Sequence, residues 1–193
     1  MSTTPPLTDA AVPSGTPEII EPAETTERFN DEYRAVDEYR LVLRPAVADD
    51  ASAIEDLHAR CSPNTLYRRY HAPMHGAPRL LLKQLLAARN HYFLVTTPTA
   101  QAVALGEFAA AVGPHPPQIA LMVVDAWQRR GIGTWLTTRL LHTAARAELH
   151  TVYADVLGEN TPALNHFRSF GGTVQTWEQG TAQLAIPVPK QST

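Results

Sequence analysis

The stretch "VVDAWQRRGIGTWL", Val123–Leu136, sets two closely spaced glycines between an apolar run and a helix with one apolar face. The first turn of a helix has unsatisfied N–H groups and a partial positive charge, so it binds anions readily. Glycines just ahead of it let the backbone approach phosphate oxygens with no Cβ in the way. The amides of Arg129, Arg130, Gly131, Ile132, Gly133 and Thr134 can therefore wrap a pyrophosphate, with either arginine adding charge-assisted bonds. Two nucleotide readings fail. No Gly-Lys-Ser/Thr follows, which excludes a P-loop, and the third glycine of a dinucleotide fingerprint is missing. A plain turn before a buried helix stays open on these residues alone.

Working outward, "HYFLVTT", "AVALGEFAAAV" and "PQIALMVV" read as three strands leading into the turn. Thr134–Leu149 reads as the helix after it, with Leu136, Leu140 and Ala144 in one row. "TVYADVL" is a further strand, "NTPALNHFRSFG" a helix closed by Gly171, and "GTVQTWEQ" with "TAQLAIPV" a final hairpin. Upstream, "YRLVLRPA" opens the domain near Tyr39. Asp49 or Asp50 is a candidate cap for a first helix carrying Ile54, Leu57, His58 and Cys61. Ser62 and Pro63 start a second helix and "APRLLLKQLLAARN" forms a third. An antiparallel meander followed by strand–helix–strand units predicts an α+β fold with a mixed sheet.

Residues 1–38 are rich in Thr, Pro and Glu and poor in large apolar side chains, the composition of a disordered tail. Residues 1–40 hold nine acidic groups against three arginines, so the net charge of −3 conceals a mildly basic remainder. That balance suits a small anionic ligand and lacks the strong basic stripe of a nucleic-acid binder. No apolar run approaches the ~18–20 residues that cross a bilayer. One cysteine, Cys61, and the lack of a secretory leader pattern lead us to expect a reducing cytoplasm. Cys61 falls in a helix's apolar row and reads as core. His71 and His75 sit four apart, but Pro73 and Gly76 break any helix that would align them, so no metal site is expected. His91, His115, His142, His150 and His166 read as solvated or half-packed, and Trp127 and Trp135 as packing beneath the turn.

Gln128-x-x-Gly131-x-Gly133, after an apolar strand and before an amphipathic helix, resembles the acyl-CoA motif of the GNAT N-acetyltransferase superfamily. "VYADVLGENTPALNHFRSFGG" resembles the same family's strand, asparagine, helix and Phe-Gly ending, and the order of elements agrees from about Arg40 to Val188. The resemblance implies a GNAT domain over residues 39–189. It would be an αβα sandwich around a mostly antiparallel sheet of about seven strands, splayed where acyl-CoA binds. It implies that backbone groups of Leu121, Met122 and Val123 meet the pantetheine arm, that Gln128–Thr134 hold the pyrophosphate, and that Asn160 touches the cofactor. Acetyl-CoA is then the cosubstrate and an amine the acceptor, with no metal, nucleic acid or membrane involved.

Acetyl transfer to an amine needs the amine neutral and the tetrahedral oxyanion stabilised. A backbone N–H near Val123 would serve the oxyanion. Many family members carry a glutamate where Gln118 stands here, and a tyrosine acid where Phe167 stands. Gln118 can position a water but cannot take a proton. Asp155 and Glu107 are the remaining carboxylate candidates for a base, beside proton loss through water. Three functions stay open. The Ser62, Pro63, Thr65, Tyr67, Arg69, Tyr70 pattern resembles the protein-lysine acetyltransferase group. The same chemistry on a small amine and a non-catalytic acyl-CoA-binding module are the alternatives.

Overall fold

A computed structural model describes residues 32–36, 39–86 and 90–190. Its strands are β1 (Glu32–Val36), β2 (Tyr39–Pro45), β3 (His91–Thr96), β4 (Ala102–Ala109), β5 (Gln118–Val123), β6 (Thr151–Leu157), β7 (Thr173–Glu178) and β8 (Thr181–Pro187). Its helices are α1 (Ala51–Ala59), α2 (Pro63–Tyr70), α3 (Arg79–Leu86), α4 (Ile132–Arg146) and α5 (Thr161–Ser169). The strands form one sheet in the order β1-β2-β3-β4-β5-β6-β8-β7. Every neighbour pair is antiparallel except β5 with β6.

Strand alternation sends neighbouring side chains to opposite faces, and each face has its own core. Phe93, Val95, Ile119, Val152, Ala154 and Leu184 pack under α4 and α5 with Leu136, Leu140 and Phe167. Tyr92, Leu94, Leu105 and Met122 pack on the other face with Ile54, Leu57, Leu66 and Leu81 of α1–α3. The result is a three-layer αβα sandwich.

The structure departs from the sequence expectations at two places. Residues 32–36, within the stretch expected to be a tail, form β1, paired in register with β2 from Glu32↔Leu43 to Val36↔Tyr39. That strand exists because β2 offers it a hydrogen-bonding edge, which local composition does not report. The expected disorder of residues 1–31 lies outside the described residues. The glycine-turn helix begins at Ile132, two residues before Thr134, and ends at Arg146. It starts there because Gly131, at φ 78°, is its N-cap.

The feature that makes a site is local. β5 and β6 share one ladder pair, Gln118↔Tyr153. Beyond it the strands part, and from Ile119 onward the β6-facing edge of β5 has no ladder partner among the described residues.

Candidate active site

Two cavities meet along that open edge. The larger, about 360 Å³, lies in the splay between Gln118–Leu121 and Ala154–Val156, closed by the last turn of α2 and by α5. The smaller, about 290 Å³, runs past Leu121, Met122, Val123, Gln128 and Arg129. Arg68, Arg69, Leu121, Asn160 and Ala163 border both.

The glycine turn borders the smaller cavity through Gln128 and Arg129. Arg129 and Gly131 both have positive φ, 62° and 78°, which folds the backbone into a concave turn of amides ahead of a fifteen-residue helix. Gly131 alone could take that backbone conformation without a Cβ penalty. Gly133 has ordinary helical backbone and lines the larger cavity; a Cβ there would meet Leu121 at 3.6 Å and His166 at 3.9 Å. Its role is space. Gln128 donates from Nε2 to the Val123 carbonyl at 3.0 Å and to Thr65 Oγ1 at 3.2 Å, tying the turn to β5 and α2. Arg130 stacks over Trp127, 5.2 Å from the ring centroid, and borders neither cavity. The Ile132 side chain is core, so only its amide is available to a ligand. Asn160 caps α5, its Oδ1 accepting from the Ala163 amide at 3.4 Å.

The larger cavity is lined by both apolar and polar side chains, Gln118 and Asp155 among the latter. Asp155, exposed on β6, accepts from Gln118 Nε2 at 3.2 Å and from Gln183 Nε2 at 3.1 Å. Glu107 borders neither cavity. On β4 it binds Arg69 at 2.5 Å and accepts from Asn90 at 2.9 Å and the Tyr92 hydroxyl at 3.0 Å. Those three donors occupy the carboxylate, so it meets the site only through Arg69. Phe167 is core and lines the larger cavity.

Sequence reasoning missed how α2 is pinned. Buried His58 donates from Nδ1 to the Ile54 carbonyl at 2.7 Å and accepts from the Tyr70 hydroxyl on Nε2 at 2.5 Å. Burial holds His58 below its ordinary pKa, although its bond to Ile54 opposes this, and burial pushes the Tyr70 phenol up to about 12. Asp125 is the second omission. It accepts from the Ser62 amide at 2.8 Å, the Ser62 hydroxyl at 2.7 Å and the Thr65 hydroxyl at 2.8 Å. Burial raises its pKa, but these bonds outweigh that and leave it below the usual carboxylate value. Buried Cys61, whose thiol burial pushes up to about 11, is no nucleophile at neutral pH.

Among solved structures, the GNAT domain of S. lividans PAT aligns with TM-score 0.72 at 20% identity, over 81% of this chain and 96% of that one. Spermidine N-acetyltransferase from Vibrio cholerae, in complex with CoA and spermine, aligns at 0.59 with 18% identity, over 77% and 95%. A GNAT superfamily phosphinothricin acetyltransferase from Sinorhizobium meliloti, in complex with acetyl-CoA, aligns at 0.62 with 15% identity, over 79% and 91%. At these identities the likeness is one of fold. The family model for the acetyltransferase (GNAT) domain matches residues 40–173, which carry the glycine turn, the splay and the Asn160-capped helix. The chain belongs to the GNAT acetyltransferase family and is an N-acyltransferase.

Proposed function

We propose that this enzyme transfers an acetyl group from acetyl-CoA directly to a primary amine, and that the amine is a lysine side chain of a protein. One observation carries the transfer: a cavity beside the glycine turn meets a second cavity along the unpaired edge of β5. In this reading the pyrophosphate lies on Gln128–Thr134 and the pantetheine arm pairs with Leu121–Val123 as an added strand. The thioester then reaches the splay near Gln118. A backbone N–H of β5 near Val123 receives the oxyanion. Asp155 attracts the incoming ammonium, Gln118 and Gln183 hold that carboxylate in place, and Glu107 fixes Arg69 at the wall.

The lysine acceptor rests on α2. The Ser62–Tyr70 segment, whose pattern resembles the protein-lysine group, supplies Arg68, Arg69 and Tyr70 to the acceptor wall. Thiol release from acetyl-CoA, assayed with lysine-bearing proteins and a panel of small amines, tests the assignment. Acetylation of protein lysines is the expected result. Turnover confined to small amines would reassign the acceptor, and CoA binding without turnover on any amine would remove the transfer reading.

A further inference from the structure

His71 ends α2 on the lip of the larger cavity and faces the acceptor side of the splay. Its backbone is left-handed at φ 55°, a conformation histidine tolerates better than most side chains, and its amide donates to the Tyr67 carbonyl at 2.8 Å. The preceding residue is anchored through the Tyr70–His58 hydrogen bond at 2.5 Å, so the residue's position is set by two independent ties. The imidazole itself has no hydrogen-bond partner among the described residues. The charged and titratable groups around it are Asp155 across the splay on β6, Arg68, Arg69 and Tyr70 on its own helix, and His166 from α5. Glu107 is already bound to Arg69.

We propose that His71 is the general base of the transferase, taking the proton of the acceptor ammonium at the mouth of the splay. The proposal rests on the transferase reading above. The neutral imidazole accepts one proton from R–NH3+, leaving R–NH2 and an imidazolium. The amine lone pair then attacks the thioester carbon, forming the C–N bond and an oxyanion. Collapse breaks the C–S bond, the thiolate takes a second proton from the nitrogen, and the imidazolium returns its proton to water. Asp155 supports the charged imidazole and so acts as a positioning residue. Burial and Arg69 keep the ring neutral near pH 7 while Asp155 opposes them. This supplies a proton acceptor where Gln118 has none.

The test is a set of pH–rate profiles on the full chain with acetyl-CoA and whichever amine the wild type acetylates. A base works only when neutral, so wild-type kcat/KM should fall as pH drops through the His71 pKa, below the ordinary imidazole value. His71→Gln should lower kcat by ~10²–10³-fold, abolish that limb and leave CoA affinity unchanged. Added imidazole should partly restore His71→Ala. Asp155→Asn should keep the limb but move it to lower pH, because the imidazolium loses its supporting carboxylate. Near-wild-type turnover by His71→Gln with the limb intact overturns the proposal and leaves the transferase reading standing. Loss of the limb in Asp155→Asn alone would make Asp155 the base. Absence of wild-type turnover on every amine would instead overturn the transferase reading, and the proposal with it.

Discussion

Gly131 shows which part of a site can be read from a sequence. Its requirement is local: a left-handed residue immediately before a helix. Such a requirement leaves its mark in the residue types themselves. Replacing Gly131 by Val sets a β-branched side chain at φ 78°, a strain of about 1–3 kcal/mol. It also reshapes the amide cradle, so we expect CoA affinity to fall at least tenfold, measured by titration calorimetry. Circular dichroism should show the helix content retained. Unchanged affinity would place the pyrophosphate elsewhere. At Gln118 the sequence announces only a departure from the family's glutamate. Its bond to Asp155, thirty-seven residues away, is invisible without the Gln118↔Tyr153 pairing that brings the two strands together. His71 was illegible for the same reason, since its value depends on where the last turn of α2 docks.

Helix α2 was legible at its start and not in its attachments. Ser62 caps it through the Thr65 amide at 3.2 Å, with Pro63 in the first turn, as the residue types require. The same hydroxyl donates to Asp125, sixty-three residues forward. That clasp joins α2 to the loop that carries Gln128 and, in the function proposed above, couples the two ends of the site. Asp125→Ala removes the acceptor of three hydrogen bonds and should destabilise the fold by about 1 kcal/mol, discounted because the carboxylate is exposed. The pH dependence has a definite sign. The folded pKa of Asp125 is depressed, so its stabilisation is complete above the unfolded carboxylate value and is lost as pH falls through the folded one. The Tm gap between wild type and Asp125→Ala should therefore be widest near neutral pH and close below about pH 4. A gap that stays constant with pH would show that the carboxylate's charge contributes nothing.

For the whole molecule, the order of strands and helices followed from periodicity and breakers, while the β1 end of the sheet did not. The final hairpin was readable because β8 alternates through Ala182, Leu184 and Ile186, all buried. β1 was not, because "EYRAV" lies in an acidic stretch and owes its form to pairing with β2. That pairing has a consequence for the edge of the sheet. Without β1, the outer edge of β2 would present unpaired N–H and C=O groups, a template for association with another strand. The splay between β5 and β6 lies three strands further in. Deleting residues 1–38 should therefore separate stability from binding. We expect a lower Tm and concentration-dependent self-association by light scattering, with CoA affinity within about twofold of wild type (~0.4 kcal/mol). A monodisperse truncation with unchanged Tm would show that β1 protects nothing. A large loss of CoA affinity would show that the strand reaches the site through the β2–β3–β4 ladders, and the sheet would then have to be treated as one mechanical unit.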